Sequence, residues 1–69
     1  MRSDDLRIWM KKHGMNDVDL AEFLGVTRMA VRHWLNNARS ISLATSRLLK
    51  FFDRFPEAMK TYGKDIANQ

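Results

Sequence analysis

Cysteine is absent from this sequence of 69 residues, and it contains only one proline and three glycines. Without cysteine, neither a disulfide framework nor a thiolate zinc site can stabilise so small a domain. The apolar runs are only a few residues long, far short of the roughly 20 residues of a membrane-spanning helix. The first residues carry two acids where a signal peptide has an apolar run, so the expected compartment is the cytoplasm. What remains is one small domain stabilised by helix packing or by dimerisation.

Acidic residues are missing from the middle of the chain. Residues 23–52 contain five basic side chains and no acid, whereas residues 1–22 contain four basic and five acidic ones. The net charge of +4 favours a polyanionic partner. Charge alone leaves two interpretations open: a surface that contacts phosphates, or a solvated face that happens to lack acids.

Helical periodicity dominates the sequence, and no stretch alternates long enough to predict a strand. The pattern predicts an all-α fold, a compact domain of four or five helices over residues 1–63 with a flexible tail at residues 64–69. The second helix is expected over residues 17–24 and the third from Arg28 to about Asn36. Pro56 predicts the first turn of a short fifth helix that ends at Gly63. The N-caps expected for the first four helices are Ser3, Asn16, Thr27 and Ser42.

The most informative stretch is residues 17–36, which predicts two helices that meet at a steep angle across a short turn. Ala21 is small where the third helix approaches the second, and Gly25 lets the chain reverse. Val31 and Trp34 point to the core from one face of the third helix. Its opposite face is therefore free, and the major groove of DNA is wide enough to admit an α-helix.

At these residues the chain resembles the Cro/phage-repressor (Xre-type) helix-turn-helix family. The resemblance lies in LAEFLGV, then four residues, then V-x-x-W-L-N, and it extends over roughly residues 6–52. It implies a lambda-repressor-like domain, usually dimeric, that binds a two-fold DNA operator. The family often has Gln at the start of the second helix to anchor a phosphate, whereas this chain has Asp17. Because a carboxylate repels phosphate, either Asn16 takes over that contact or Asp17 acts only at the helix terminus.

Four residues on the free face of the third helix are candidates for reading bases. Arg28 matches the start of the family's recognition helix and suits a bidentate contact to guanine, with a phosphate contact as the alternative. Met29 suits a thymine methyl group or packs at the turn. His33 matches a base-facing position of the family, and Arg32 either reads a base or contacts the backbone.

Polar residues around the third helix are candidates for phosphate contacts, which position a protein on DNA without reading sequence. Thr27 is first a helix cap, and a phosphate contact by its hydroxyl or N–H group is compatible with that role. The candidates are Asn16, Thr27, Asn36, Asn37, Arg39, Ser40 and Ser42.

Apolar side chains are concentrated near the C-terminus, more of them than one helix can hide against so small a domain. This excess predicts a homodimer through helices within residues 43–62. The alternative is a fifth helix that folds back and completes the core of the monomer. The cluster comprises Phe51, Phe52, Phe55, Met59 and Tyr62. The predicted dimer contacts are Leu49, Phe52, Phe55 and Met59.

The sequence thus predicts a transcriptional regulator that binds double-stranded DNA at an inverted-repeat operator, as a dimeric repressor of a phage or mobile-element operon or of its own gene. The alternative is an antitoxin or adaptor that uses the fold mainly to bind protein. RNA binding is disfavoured because the deep major groove of RNA does not admit a helix. His13 and His33 lack a third ligand at metal spacing, and no catalytic set stands out. No enzymatic activity, metal, cofactor, small-molecule ligand or membrane contact is expected.

Overall fold

Five α-helices follow one another along residues 1–67. They are α1 (Ser3–Lys12), α2 (Asp17–Leu24), α3 (Arg28–Leu35), α4 (Leu43–Arg54) and α5 (Ala58–Ala67). The structure, a computed structural model, describes the backbone of residues 1–67 and the side chains of residues 1–62. No strand occurs within residues 1–67, and none of the helices there is long and apolar enough to cross a membrane. The prediction of an all-α fold is confirmed.

Side-chain caps determine where the three central helices begin. The caps are Asn16, Thr27 and Ser42, as the sequence predicts. Each side-chain oxygen accepts the backbone N–H group three residues further on, at 2.8, 3.1 and 3.1 Å respectively. These N–H groups lie in the first turn, where no carbonyl four residues earlier belongs to the helix, so the caps supply acceptors for them.

The start of α1 differs from the sequence-based expectation. Ser3 is the first residue of the helix rather than its cap, and Arg2 precedes it. The backbone N–H group of Arg2 donates to Oδ2 of Asp5 at 3.0 Å. A carboxylate in the first turn thus accepts a hydrogen bond at the helix start, where negative charge is also favoured by the helix dipole.

The last helix starts later and runs further than predicted. Pro56 and Glu57 lie in a turn before α5, which begins at Ala58. The helix continues through Gly63 to Ala67, so Gly63 does not end it. Residues 64–67, expected in a flexible tail, are helical, and residues 68–69 of that tail lie outside the described residues.

The core is formed by side chains from the first four helices. The Nε1–H group of Trp9 donates to the carbonyl of Leu49 at 3.0 Å, so the buried indole of α1 has a partner in α4. Fully buried side chains of this kind are the main source of stability in a domain this small. The buried apolar residues are Leu6, Trp9, Met10, Leu20, Ala21, Val31, Leu49 and Phe52.

Two residues predicted to form the dimer surface belong instead to this core. The exposed fractions of Leu49 and Phe52 are 0% and 1%. Helix α5 packs against this core, with the Tyr62 ring 5.2 Å from the Phe52 ring and 5.0 Å from the ring of Phe23 on α2. Leu49 and Phe52 are therefore not accessible to a second subunit, and the prediction that these two residues form a dimer surface is wrong.

The turn between α2 and α3 positions the helix-turn-helix. Gly25 has a φ angle of +74°, in the left-handed region that glycine enters at little cost. The N–H groups of Gly25 and Val26 both donate to the carbonyl of Ala21, at 2.9 and 3.0 Å. Ala21 is buried, and so is Val31 across the turn. The inner face of α3 is thereby held against α2.

Candidate nucleic-acid interface

The outer face of α3 carries the residues predicted to read bases. The side chain of Arg28 is 59% exposed, Met29 is 58% exposed, and Arg32 is also exposed. His33 is half-buried, so it offers less of its imidazole to a ligand than the other three. Val31 on the opposite side is fully buried, which fixes the direction in which the outer face points.

Arg28 is engaged by an acid of the neighbouring helix. Its Nε–H group donates to Oδ2 of Asp17 at 2.9 Å, within an ion pair between the starts of α3 and α2. The Asp17 side chain is 24% exposed, so the pair is only partly screened by water. Because Arg28 donates to Asp17 only through Nε, its two Nη groups at the end of the guanidinium can still donate to another acceptor.

The environment of Asp17 favours its ionised form. The hydrogen bond from Arg28 lowers the pKa of Asp17 below its ordinary value of 3.8, and partial burial opposes that shift. The backbone N–H group of Val18 also lowers the pKa, as do the positive charges of Arg28 and Arg32. At neutral pH Asp17 is therefore a carboxylate beside the basic face of α3.

Sequence reasoning noted Asp17 as a departure from the family pattern but did not pair it with Arg28. The two residues are eleven positions apart, and the steep crossing of α2 and α3 brings them together. An acid at the first position of α2 and an arginine at the first position of α3 were the available signal. Of the two alternatives left open for Asp17, neither included this ion pair.

Two phosphate candidates lie near this end of α3. Asn16 and Thr27 are both exposed, and both use a side-chain oxygen as a helix cap. The caps occupy acceptor oxygens, whereas a phosphate requires donors. The amide N–H₂ group of Asn16 and the hydroxyl hydrogen of Thr27 are chemically suited to that contact.

Beyond the other end of α3, a cleft of about 370 Å³ separates the start of α1 from the loop that follows α3. Asn37, Arg39 and Ser40, three of the predicted phosphate contacts, line it together. Arg2 and Asp4 also line the cleft and were not predicted. Nothing in the sequence pattern links Arg2 to this loop, because the contact depends on how α1 packs across the domain.

The loop at this end is held by its backbone. Asn37 has a φ angle of +60°, an unusual conformation that asparagine adopts more readily than most residues. The N–H groups of Ala38 and Arg39 both donate to the carbonyl of His33, at 2.9 and 3.2 Å. Arg7 on α1 donates from Nη2 to the carbonyl of Leu35 at 3.0 Å, which ties the last turn of α3 to α1.

The remaining two phosphate candidates are Ser42 and Asn36. The Ser42 hydroxyl donates to Oγ1 of Thr45 at 2.8 Å, so its hydrogen is already used within the cap. Asn36 is exposed at the C-terminal cap of α3, close to Asn37. Within the described part of the chain, no group of three or more His, Asp or Glu side chains is arranged to hold a metal ion.

This arrangement has a counterpart among known protein families. The sequence matches one described as helix-turn-helix, over residues 6–49. The chain is a member of the helix-turn-helix family. Its matched segment runs from the core residue Leu6 of α1 to the core residue Leu49 of α4 and contains the whole of α2 and α3. No curated protein and no solved structure shows significant similarity to the chain.

The family is of the Cro/phage-repressor (Xre-like) kind, and its members are DNA-binding regulators that are generally not enzymes. The resemblance inferred from the sequence is confirmed at this level. In DNA-binding helix-turn-helix proteins the second helix of the motif lies in the major groove, and α3 occupies that position in the motif of this chain. The exposed side chains of α3 therefore constitute the candidate interface.

Proposed function

We propose that this helix-turn-helix protein is a transcriptional regulator that binds double-stranded DNA sequence-specifically, with α3 inserted in the major groove. The observation that carries the proposal is the exposed outer face of α3, where Arg28, Met29 and Arg32 project away from a buried Val31. A guanidinium suits guanine O6 and N7, and a thioether suits the thymine methyl group. This face therefore offers the chemistry of base recognition and not charge alone.

Contacts to phosphates would flank this face. On one side lie Asn16 and Thr27, and on the other lies the cleft with Asn37, Arg39 and Ser40. Because α3 is about 12 Å long, contacts at its two ends can bracket the groove that the helix enters. Arg32 and His33 complete the base-facing set in this proposal.

The regulator acts as a two-fold dimer on an inverted repeat, as a repressor of its own gene or of a phage or mobile-element operon. Phe51 on α4 and Phe55 at its C-terminal cap support a dimer, since they are 48% and 43% exposed and their rings lie 5.2 Å apart. Such an aromatic pair on an outer face is typical of a surface that meets a partner. A two-fold dimer would place its recognition helices about 34 Å apart, one helical turn of DNA. Of the four dimer residues predicted from the sequence, only exposed Phe55 and half-buried Met59 remain candidates for this contact.

The experiment that tests the function is the selection of bound duplexes from a random DNA pool, at low and at moderate salt. We expect the pool to yield an inverted repeat with half-sites about one helical turn apart. The protein should still prefer this sequence over others as the salt concentration rises. Enrichment of no sequence, with affinity that merely fades as salt rises, would contradict the proposal, since that behaviour defines a non-specific basic surface.

The exposed phenylalanines also favour a second candidate function, an antitoxin or adaptor that binds another protein through the same surface. Sedimentation equilibrium of the Phe51→Glu, Phe55→Glu double variant separates the two. Loss of a wild-type dimer supports the homodimer, whereas a wild-type protein that is monomeric at all concentrations favours a different protein partner. Ile8→Glu is the matched control, because Ile8 is 67% exposed but lies on α1.

A further inference from the structure

Asp17 lies against the side chain of α3 that best suits guanine. Its Oδ2 accepts the Nε–H group of Arg28 at 2.9 Å, and its Oδ1 accepts the backbone N–H group of Val18 at 2.9 Å. Both oxygens are thus engaged, so the carboxylate has a defined position at the start of α2. Since Ala21 and Val31 are buried on either side of the turn between α2 and α3, Arg28 is held relative to a rigid support.

The hydrogen bond uses only part of the guanidinium. Nε donates to Asp17, and within the described residues the Nη groups of Arg28 make no further hydrogen bond. Nη1 and Nη2 form the planar end of the fork, which can donate two parallel bonds to guanine O6 and N7. An arginine held through Nε loses less side-chain freedom on binding, because its conformation is already restricted.

The charge of Asp17 discriminates between the two contacts open to Arg28. A phosphate bound by Arg28 would come close to a carboxylate of the same sign, and that repulsion offsets the attraction of the arginine. Guanine O6 and N7 carry no net charge, so the carboxylate does not oppose them in the same way. The pair therefore favours a base contact over a phosphate contact.

We propose that Asp17 is a positioning and specificity-determining residue: it holds Arg28 in the orientation that reads a guanine in each half-site, and it disfavours a phosphate contact by that arginine. This inference rests on the proposed function. It names the chemistry of the partner, a duplex with a G·C pair opposite the start of α3. The lowered pKa of Asp17 is consistent with it, since the carboxylate stays ionised at neutral pH.

The test begins with the duplex selected by the full wild-type chain. Affinities are then measured for Asp17→Ala, Asp17→Asn, Arg28→Lys and Arg28→Ala on that duplex, on a shuffled duplex, and on duplexes in which each guanine in turn is replaced by 7-deazaguanine. Removal of N7 breaks the bidentate contact and leaves the backbone unchanged. For the wild type, one guanine per half-site should show a loss of about 5- to 140-fold.

Asp17→Ala should reduce the effect of 7-deazaguanine at that position several-fold, while its affinity for the shuffled duplex rises. The guanine preference thus falls while the affinity for the shuffled duplex rises. A general loss of fold would instead lower the affinity for the selected duplex and for the shuffled duplex alike. Asp17→Asn retains an oxygen that can accept from Nε, so it should preserve most of the guanine preference while it also binds the shuffled duplex more tightly. Arg28→Lys keeps the charge but lacks the fork and should lose the preference.

Two controls complete the design. Glu22→Gln removes one exposed negative charge from the same helix, and Glu22 forms no ion pair among the described residues. It should leave the guanine preference unchanged. In the Asp17→Ala, Arg28→Ala double variant, the loss of guanine preference should be no larger than in Arg28→Ala alone, because the two residues act through one contact.

The possible failures are distinguishable. If the pool yields no preferred duplex, the proposed function fails and this inference fails with it. If a duplex is selected but Asp17→Ala keeps the full guanine preference, the function stands and Asp17 only repels DNA. An equal loss of preference in Glu22→Gln would also overturn the inference, because it would trace the effect to net charge.

Discussion

The two ends of α3 differ in what surrounds their arginines. At the first residue of the helix, Arg28 has a carboxylate 2.9 Å from its Nε atom. Beyond the last turn, Arg39 lines a cleft with Arg2 and Asp4 but forms no ion pair among the described residues. An arginine held by an acid is suited to specificity, since its orientation is restricted and part of its charge is balanced. An arginine without that restraint is suited to affinity for phosphate.

The largest effect on DNA binding is expected from removal of Arg28, the arginine that Asp17 holds. Arg28→Ala should lose about 1–3 kcal/mol of binding free energy for the selected duplex and relax the preference at one base pair. Fluorescence anisotropy on matched and mismatched duplexes measures both quantities. A loss of similar size on every sequence would make Arg28 a phosphate contact and erase the distinction between the two ends.

The loop that carries the other arginine can be tested through its backbone. Because Asn37 has a φ angle of +60°, Asn37→Ala should lower the free energy of unfolding by about 1 kcal/mol. Asn37→Gly should be nearly neutral, since glycine adopts that conformation readily. Urea denaturation measures both variants, and equal destabilisation by alanine and glycine would show that the Asn37 side chain matters more than its backbone.

A smaller and uniform effect is expected from the unrestrained arginine. Arg39→Ala should weaken binding almost equally on all duplexes and reduce the slope of log affinity against log salt by about one. Titrations at three salt concentrations measure the slope. A change of preference at a particular base pair would instead place Arg39 in the groove.

The smallest expected effect is the pH dependence of the ion pair between Asp17 and Arg28. The folded-state pKa of Asp17 lies below 3.8, so its ion pair stabilises the fold fully above that pH and loses its contribution as the pH falls through the lowered pKa. In an NMR titration of the free protein, the Nε–H resonance of Arg28 should therefore shift with a midpoint below 3.8. A midpoint at or above that value would mean that the pair is not formed in solution.

Local chemistry made the centre of the fold predictable. Asn16, Thr27 and Ser42 are short polar side chains directly before apolar periodic segments, so the starts of α2, α3 and α4 follow from capping alone. Ser3 has the same appearance, but Asp5 accepts the hydrogen bond of the Arg2 N–H group and moves the start by one residue. Competition between two nearby acceptors is not decided by sequence spacing.

Contacts between distant elements were not predictable in the same way. The outer face of α3 follows from helical periodicity, but the Asp17–Arg28 pair depends on the angle between two helices. The excess of apolar side chains near the C-terminus also identified Leu49 and Phe52 as contacts without showing what covers them. In the structure those side chains complete the core of the domain, so they do not form a free dimer surface.

The two tryptophans lie in different environments, so their fluorescence should report on different events. Trp9 is 2% exposed, with its ring 4.2 Å from the imidazole of His13, whereas half-buried Trp34 lines the cleft beside Arg39. The emission of Trp9 should therefore follow unfolding, and that of Trp34 should respond when a ligand fills the cleft. Trp9→Phe and Trp34→Phe would each leave a single tryptophan, so folding and DNA binding could be followed separately by tryptophan emission without any attached label.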